Sequence, residues 1–354
     1  MRTPGPALLL ALVLFAGCAP TTPASPSAGA TTAITAQVLG QILDEHDPGA
    51  YAITGGAGVL TANQPTEFVE GIEATAYHRA TPGHAAEQLT VRYSPAPFNG
   101  TILCPAKTCT EQDGVYLRHR GDVIAKRPQG FVQVTGSAEN LTGDRLATAV
   151  ALAKDPRIAP TVDQSLADQA AANTLWRTDA LDCGDATVQP PVALPERTGA
   201  TEPVTPQALA AVVASHVQGS CAGDDSGSQR VEGTVYLGSD VERVSLAITT
   251  DAFRCQGYDR CRRQDDLFVA EQTDVAEESY PWHLVVARRL PDGTHWLVVD
   301  EASVAAHKGD FPVPVAVLKA IAHDPRVGAT VDAALNQAGN DLPLTWRVGG
   351  RTAE

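Results

Sequence analysis

The sequence predicts an α+β fold made of two tandem duplicated modules, each an antiparallel sheet with one N-terminal and two C-terminal helices. Three observations carry this reading. The stretch Asp155-Pro156-Arg157 through Thr161-Val162-Asp163 to Leu166 returns as Asp324-Pro325-Arg326 through Thr330-Val331-Asp332 to Leu335, and Trp176-Arg177 returns as Trp346-Arg347. Between the repeated ends lie short runs rich in Val, Leu, Tyr and Phe, bounded by turn residues, which read as strands. At each end the apolar residues recur at three- and four-residue spacing, which is helical. Strands in succession, bracketed by helices, favour an antiparallel sheet over alternating β-α units.

The elements follow in order. Val38, Leu39, Ile42 and Leu43 space one N-terminal helix, and Ala208, Leu209, Val212 and Val213 its counterpart, where Thr205 before Pro206 is a cap followed by a first-turn proline. In the first copy Val115-His119 and Phe131-Val134 are strand candidates. In the second they are Gly233-Leu237, Val244-Ile248, Leu267-Val269, His283-Ala287 and His295-Val299, the last two joined by a hairpin through Pro291-Asp292-Gly293. Ile158, Val162 and Leu166, like Val327, Val331 and Leu335, read as an inward stripe of a closing helix. Asp155-Pro156 and Asp324-Pro325 then read as breaks that open that helix, with Asp as cap and Pro at the first helical position.

Composition bounds the function. The chain has 354 residues, 44% hydrophobic and 19% charged, which is ordinary globular material long enough for two domains. A formal charge of -15 leaves no basic face to neutralise phosphates, so nucleic acid is not an expected partner. Both modules are acidic.

The N-terminus supplies an address. Residues 1–17 carry one charge, Arg2, then the apolar run Ala7-Phe15, then Ala16 and Gly17, and read as a secretory signal. Phe15-Ala16-Gly17-Cys18 resembles the lipobox of bacterial lipoprotein precursors, with Phe15 where leucine is more usual and Leu14 beside it. That resemblance implies cleavage before Cys18, transfer of a diacylglyceryl group with palmitate-type chains to its sulfur, and attachment to the outer face of the cytoplasmic membrane. With 21 Arg against 5 Lys and abundant Ala the composition looks like that of a GC-rich actinobacterial protein, and the layout of signal, lipobox and linker resembles that of uncharacterised lipoproteins from those organisms. Loss of Arg2 leaves the mature chain at -16, so buried acyl chains rather than charge would hold it to the membrane. The expected boundaries are a lipidated Cys18 and flexible tether over 18–33, repeat 1 over 34–181, a Pro-rich linker over 182–201, repeat 2 over 202–348 and a tail over 349–354.

Six cysteines remain after Cys18, an even number that reads as disulfides in an exported chain. Cys104 with Cys109 and Cys255 with Cys261 are close pairs suited to loop staples, and elimination pairs Cys183 with Cys221. Zinc is disfavoured because neither spacing matches a two-residue knuckle, and Cys-x-x-Cys redox chemistry is absent.

No catalytic constellation is complete. Gly223-Asp224-Asp225-Ser226-Gly227 resembles the serine context of trypsin-like proteases but lacks the accompanying histidine context, and reads as a mobile loop. Thr54-Gly55-Gly56-Ala57-Gly58 lacks the Lys-Ser/Thr of a phosphate loop and reads as a turn. His78 and His84 bracket a Pro-Gly turn, His283 and His295 could face each other across the hairpin, and Arg120-Gly121-Asp122 reads as a turn. The acid pairs Asp265-Asp266, Glu277-Glu278 and Asp300-Glu301 read as solvated surface without the order of a calcium loop. No cofactor, metal or catalytic residue is assigned. The expected function is a non-catalytic, membrane-anchored binding module for an envelope ligand or protein, the alternative an envelope hydrolase using carboxylates or histidines of the second module.

Overall fold

The computed structural model describes residues 29–61, 68–104, 108–118, 121–136, 141–177, 183, 186–224, 230–238, 242–272, 281–304 and 311–346. The signal segment, Cys18, most of the tether and the tail lie outside them. In chain order the first module comprises β1 (Thr31–Ala33), α1 (Ala36–His46), β2 (Ala52–Thr61), β3 (Phe68–His78), β4 (Glu87–Ser94), α2 (Gly100–Leu103), β5 (Cys109–Gln112), β6 (Val115–Arg118), β7 (Val123–Arg127), β8 (Gly130–Gly136), α3 (Gly143–Lys154), β9 (Thr161–Asp163) and α4 (Gln164–Ala171). The second comprises β10 (Thr201–Pro203), α5 (Pro206–Ala214), β11 (Cys221–Asp224), β12 (Arg230–Tyr236), β13 (Glu242–Thr249), β14 (Arg260–Gln264), β15 (Leu267–Gln272), β16 (Trp282–Arg289), β17 (Trp296–Ser303), α6 (Val315–Ala322), β18 (Thr330–Asp332), α7 (Ala333–Asn340) and β19 (Thr345–Trp346).

The fold is α+β, with two sheets. One is antiparallel with order β2-β3-β4-β8-β7-β6-β5; the other runs β11-β12-β13-β17-β16-β15-β14, also antiparallel, with β19 added in parallel beside β11. The two orders correspond strand for strand. The small pairs β1-β9 and β10-β18 also correspond, as do Trp176, which bridges Ile53 in parallel, and Trp346, which bridges Ala222. Thr31–Ala33, read from sequence as tether, are therefore strand, because their backbone finds a partner in β9.

The strand candidates of both copies coincide with strands, apart from His119, which lies outside the described residues, while β2, β3 and β4 add to them. Thr54-Gly58 is not a turn but the middle of β2. Its glycines allow close approach: a Cβ on Gly55 would lie 2.2 Å from the Glu73 carbonyl and 3.0 Å from Trp176. Gly40 of α1 is pressed in the same way, with Trp176 at 2.8 Å from where its Cβ would be. Trp176 thus fills a slot that two glycines keep open between helix and sheet.

Ile158, Val162 and Leu166 do face the core, as do Val327, Val331 and Leu335, but they belong in turn to the loop just after the proline turn, a short strand and a helix. Asp155 and Asp324 open no helix. Asp155 is the C-cap of α3, Asp324 follows the end of α6, and the next helices start later, behind Asp163 and Asp332. Pro156 and Pro325 sit in tight turns, because each Asp carboxylate accepts from the backbone N–H two residues on, at 2.9 Å.

Thr35 and Thr205 cap α1 and α5 through their hydroxyls. The two helices differ in one respect. α1 buries one stripe, whereas every residue of α5 is buried. The segment after Cys183 accounts for this: Val192 donates its N–H to Ala214 at 2.9 Å, and Val192 and Leu194 pack on the second core. Further on, Thr198 and Gly199 donate to Asp332. The Pro-rich stretch is a strap laid on the second module, which explains why α5 is apolar all round.

Each outer sheet face carries a hydroxyl pair, Thr75 with Thr90 at 2.9 Å and Thr234 with Ser245 at 2.8 Å. It also carries a small aromatic cluster under the loop before the terminal strand. Phe98 stacks on Tyr116 and meets Phe131 edge-on; Phe253 meets Phe268, Trp296 and Tyr258. A disulfide staples each of these loops, Cys104 to Cys109 and Cys255 to Cys261, while Cys183 to Cys221 ties the strap to β11. All three pairs have Cα atoms 5.5 Å apart.

Candidate functional site

A feature present in both copies serves what they share, the fold; a feature of one copy is where a separate function can reside. His46 Nε2 lies 2.8 Å from Asp155, to which Arg157 also donates, and His216 Nε2 lies 3.2 Å from Asp324, to which Arg326 donates. Both aspartates are buried. For Asp155 burial opposes ionisation, but the bonds from Arg157 and His46 outweigh it and hold the carboxyl down to about 2. This duplicated group joins the end of the first helix to the turn behind the third, and its role is structural.

The cluster one residue further on has no second copy. Asp47, after α1, points its carboxylate at His78 Nε2, 2.8 Å away at the end of β3, and accepts from Arg145 on the first turn of α3. Arg145 also donates through Nε to Glu87 of β4 at 2.7 Å. Burial works against the Asp47 carboxylate, yet the bonds from His78 and Arg145 hold it below its ordinary range. In the second copy Val217 follows His216 as Asp47 follows His46. Leu237 follows Tyr236, and His78 follows Tyr77, the two tyrosines pairing with Cys221 and Ala52 at the starts of corresponding strands. Pro314 precedes Asp324 by the interval that separates Arg145 from Asp155. A hydrogen-bonded polar triad stands where the sister module has Val, Leu and Pro.

Two members of this triad, His78 and Arg145, line a cavity of about 480 Å³ whose walls come from both modules, with Asp47 behind them. From the first come Tyr51, His78, Arg79, His84 and Glu87; from the second comes Asn340, the last residue of α7. Thr81-Pro82-Gly83-His84 makes a tight turn at the rim, closed by reciprocal backbone bonds between Thr81 and His84, with Gly83 at φ +81° as the Pro-Gly order requires. Tyr51 packs against the second core. The Arg79 guanidinium lies over the Tyr51 ring, 5.2 Å from its centroid, and over the Trp346 ring at 5.8 Å, and its Nη1 donates to the Asn340 carbonyl. Sequence reading had marked His78 and His84 only for their turn, and had not marked Asp47, Tyr51, Arg79, Arg145, Asn340 or Trp346 as a site. The available signal was the departure of one copy from the other at matched positions.

The residues weighed for the hydrolase reading are arranged differently. His283 and His295 do not face each other: His283 pairs across with Ala302 and lies 3.0 Å from Asp300, while His295, at the turn, lies 2.8 Å from Asp292. Asp300 and Glu301 are not solvated surface. They point to opposite faces of β17 because successive strand residues alternate, so they do not converge. Glu301 is 0% exposed on the core face, beside Val244 and Leu284 on the neighbouring strands, and accepts from the Val313 N–H at 2.7 Å. Burial, against that bond and helped by Glu242 and Asp300, pushes its carboxyl up to about 7.

Asp265 takes the left-handed conformation in the β14–β15 turn, and Gly121 and Asp122 form the β6–β7 turn closed by Arg118. Gly223 and Asp224 end β11, while Asp225, Ser226, Gly227, Arg120, Glu277 and Glu278 lie outside the described residues. Among the described residues no His, Cys, Asp and Glu side chains are grouped to hold a metal ion. No helix among them is long and apolar enough to cross a membrane, and the three disulfides fit an oxidising, extracytoplasmic compartment. No family model matches the chain, and no curated protein is significantly similar to it.

Proposed function

We propose that this chain is a lipid-anchored extracytoplasmic protein that binds an envelope ligand in the cleft between its two modules, without catalysis of its own. The anchor is Cys18, on the outer face of the cytoplasmic membrane. Each module is one copy of a duplicated unit with one helix before the sheet and two behind it. The observation that carries the reading is the polar cluster of Asp47, His78 and Arg145, confined to one copy, which presents His78 and Arg145 to a cavity walled by both modules. Cavities of this size, with a few polar groups on rigid elements at a domain boundary, are where small ligands bind.

The second reading, an envelope hydrolase, is supported by the His283–Asp300 pair beside Tyr258, whose hydroxyl pKa burial and Asp300 raise. It needs a nucleophile or second carboxylate converging on that pair.

Native mass spectrometry of the full-length protein, extracted in mild detergent from its host's envelope, tests the first reading. The expected spectrum shows acyl mass on Cys18 and a further small-molecule mass that leaves on unfolding. A chain without bound mass that turns over envelope substrates, and loses that turnover in His283→Gln, would replace it with the second.

A further inference from the structure

Within the cleft the charges are not evenly matched. The acids Asp47 and Glu87 are taken up by His78 and Arg145. Arg79 is the cation left over: it makes no ion pair with any described residue, its Nη1 bonds only a backbone carbonyl, and its Nε is buried without a hydrogen-bond partner among the described residues. A guanidinium offers five N–H donors in a rigid plane. Here that plane is held over two aromatic rings from the two modules, so its direction is set before anything binds. In a mature chain of charge -16, an arginine without an acid partner among the described residues, at the wall of this cavity, is poised for a negative charge brought from outside.

We propose that the cleft recognises a small organic carboxylate through Arg79, with the Asp47 network holding His78 and Arg145 in the same cavity lining. This rests on the binding reading above and names its ligand class. A single unpaired guanidinium matches the single charge of a carboxylate better than the double charge of a phosphate monoester, and its fork suits the two carboxylate oxygens. Arg79 has no basic counterpart in the other module, where Gly238 holds the matching place after Tyr236 and Leu237. The recognition is therefore a property of one copy completed by two residues of the other, Asn340 and Trp346.

The test is equilibrium titration of the full-length protein in detergent with acetate, succinate and hippurate, each beside its uncharged amide, followed by calorimetry and tryptophan fluorescence. At least one acid is expected to bind with one-to-one stoichiometry, and its amide at least tenfold more weakly. Arg79→Lys, which keeps the charge but loses the planar fork, is expected to weaken that acid about tenfold, and Arg79→Met to abolish binding. Thermal melts of both variants show whether they fold. Amides equal to their acids, no acid bound at all, or unchanged affinity in a folded Arg79→Met overturns the carboxylate assignment. The cleft reading would still stand if the envelope-extracted protein carried a neutral bound mass, and both would fall if it carried none.

Discussion

Glu301 occupies the position that Gly136 takes in the first module, each paired to the matching residue of the neighbouring strand, Val244 and Leu89. The first module fills the space above Gly136 with Leu141, whose Cδ2 lies 2.6 Å from where a Cβ would be. The second module places a carboxyl there instead. Its pKa rises from 4.5 to about 7, so the folded state binds more protons than the unfolded state between those values. The contribution of Glu301 is greatest below the unfolded pKa and is lost as pH rises through 7, by roughly 3 kcal/mol at about 1.4 kcal/mol per unit. Urea denaturation at pH 5 and pH 8 measures it, and Glu301→Gln is expected to remove most of the difference. Asp155 has the opposite sign: its stabilisation is present above 3.8 and is lost as pH falls through about 2. Asp155→Ala is expected to cost about 2 kcal/mol, less than a fully buried pair because Arg157 and His46 are partly exposed. A variant within 0.5 kcal/mol of wild type would show that the duplicated lock contributes nothing.

At the scale of elements, the glycines of β2 separate packing from flexibility. A Cβ on Gly55 would collide with the Glu73 carbonyl, whereas one on Gly56 would meet nothing within 4 Å. Gly55→Ala is expected to lower the melting temperature by ten degrees or more, on the order of 3 kcal/mol, while Gly56→Ala stays within about 0.5 kcal/mol. Equal effects would mean that Trp176 and β3 can retreat. The strap makes a related point about α5. A helix apolar on every side needs cover on every side; β12 and α7 pack against α5, and Val192 and Leu194 pack on the same core. Leu194→Asp is expected to destabilise the second module by about 1–2 kcal/mol and to speed hydrogen exchange in α5 before the sheet.

For the molecule as a whole, the two sheets have matching strand order, and only the first module carries the Asp47, His78 and Arg145 cluster. The Cys183–Cys221 pair closes the longest disulfide loop and holds the strap where it meets β11. On the loop-entropy account its removal costs about 4 kcal/mol, against about 2 kcal/mol for each short staple. Cys183→Ser with Cys221→Ser should therefore lower the urea midpoint more than the loss of Cys104 and Cys109. The reverse order would mean that the strap is held by its packing on α5 and by Asp332 without the covalent tie. Cleft occupancy is expected to depend on both modules, since Asn340 and Trp346 belong to one and Tyr51 and Arg79 to the other.

The sequence by itself determined what is local or repeated. Thr35 and Thr205 announce helix starts because a cap needs only its own next turn, six cysteines after Cys18 imply three bridges, and the returning Asp-Pro-Arg and Trp-Arg segments imply two like modules. It misread Thr54-Gly58 because glycine signals a turn unless a neighbour presses on the backbone, and that neighbour, Trp176, is supplied by the other end of the module. It misread Asp155-Pro156 because an aspartate can cap a helix or lock a turn, and His46 and Arg127 decide between them from distant segments; Arg127 donates to the Ala153 and Asp155 carbonyls that end α3. The cleft was decided by tertiary structure alone. His78, Arg79, Arg145 and Asn340 carry no shared spacing, and only the strand order and the meeting of two modules bring them around one cavity.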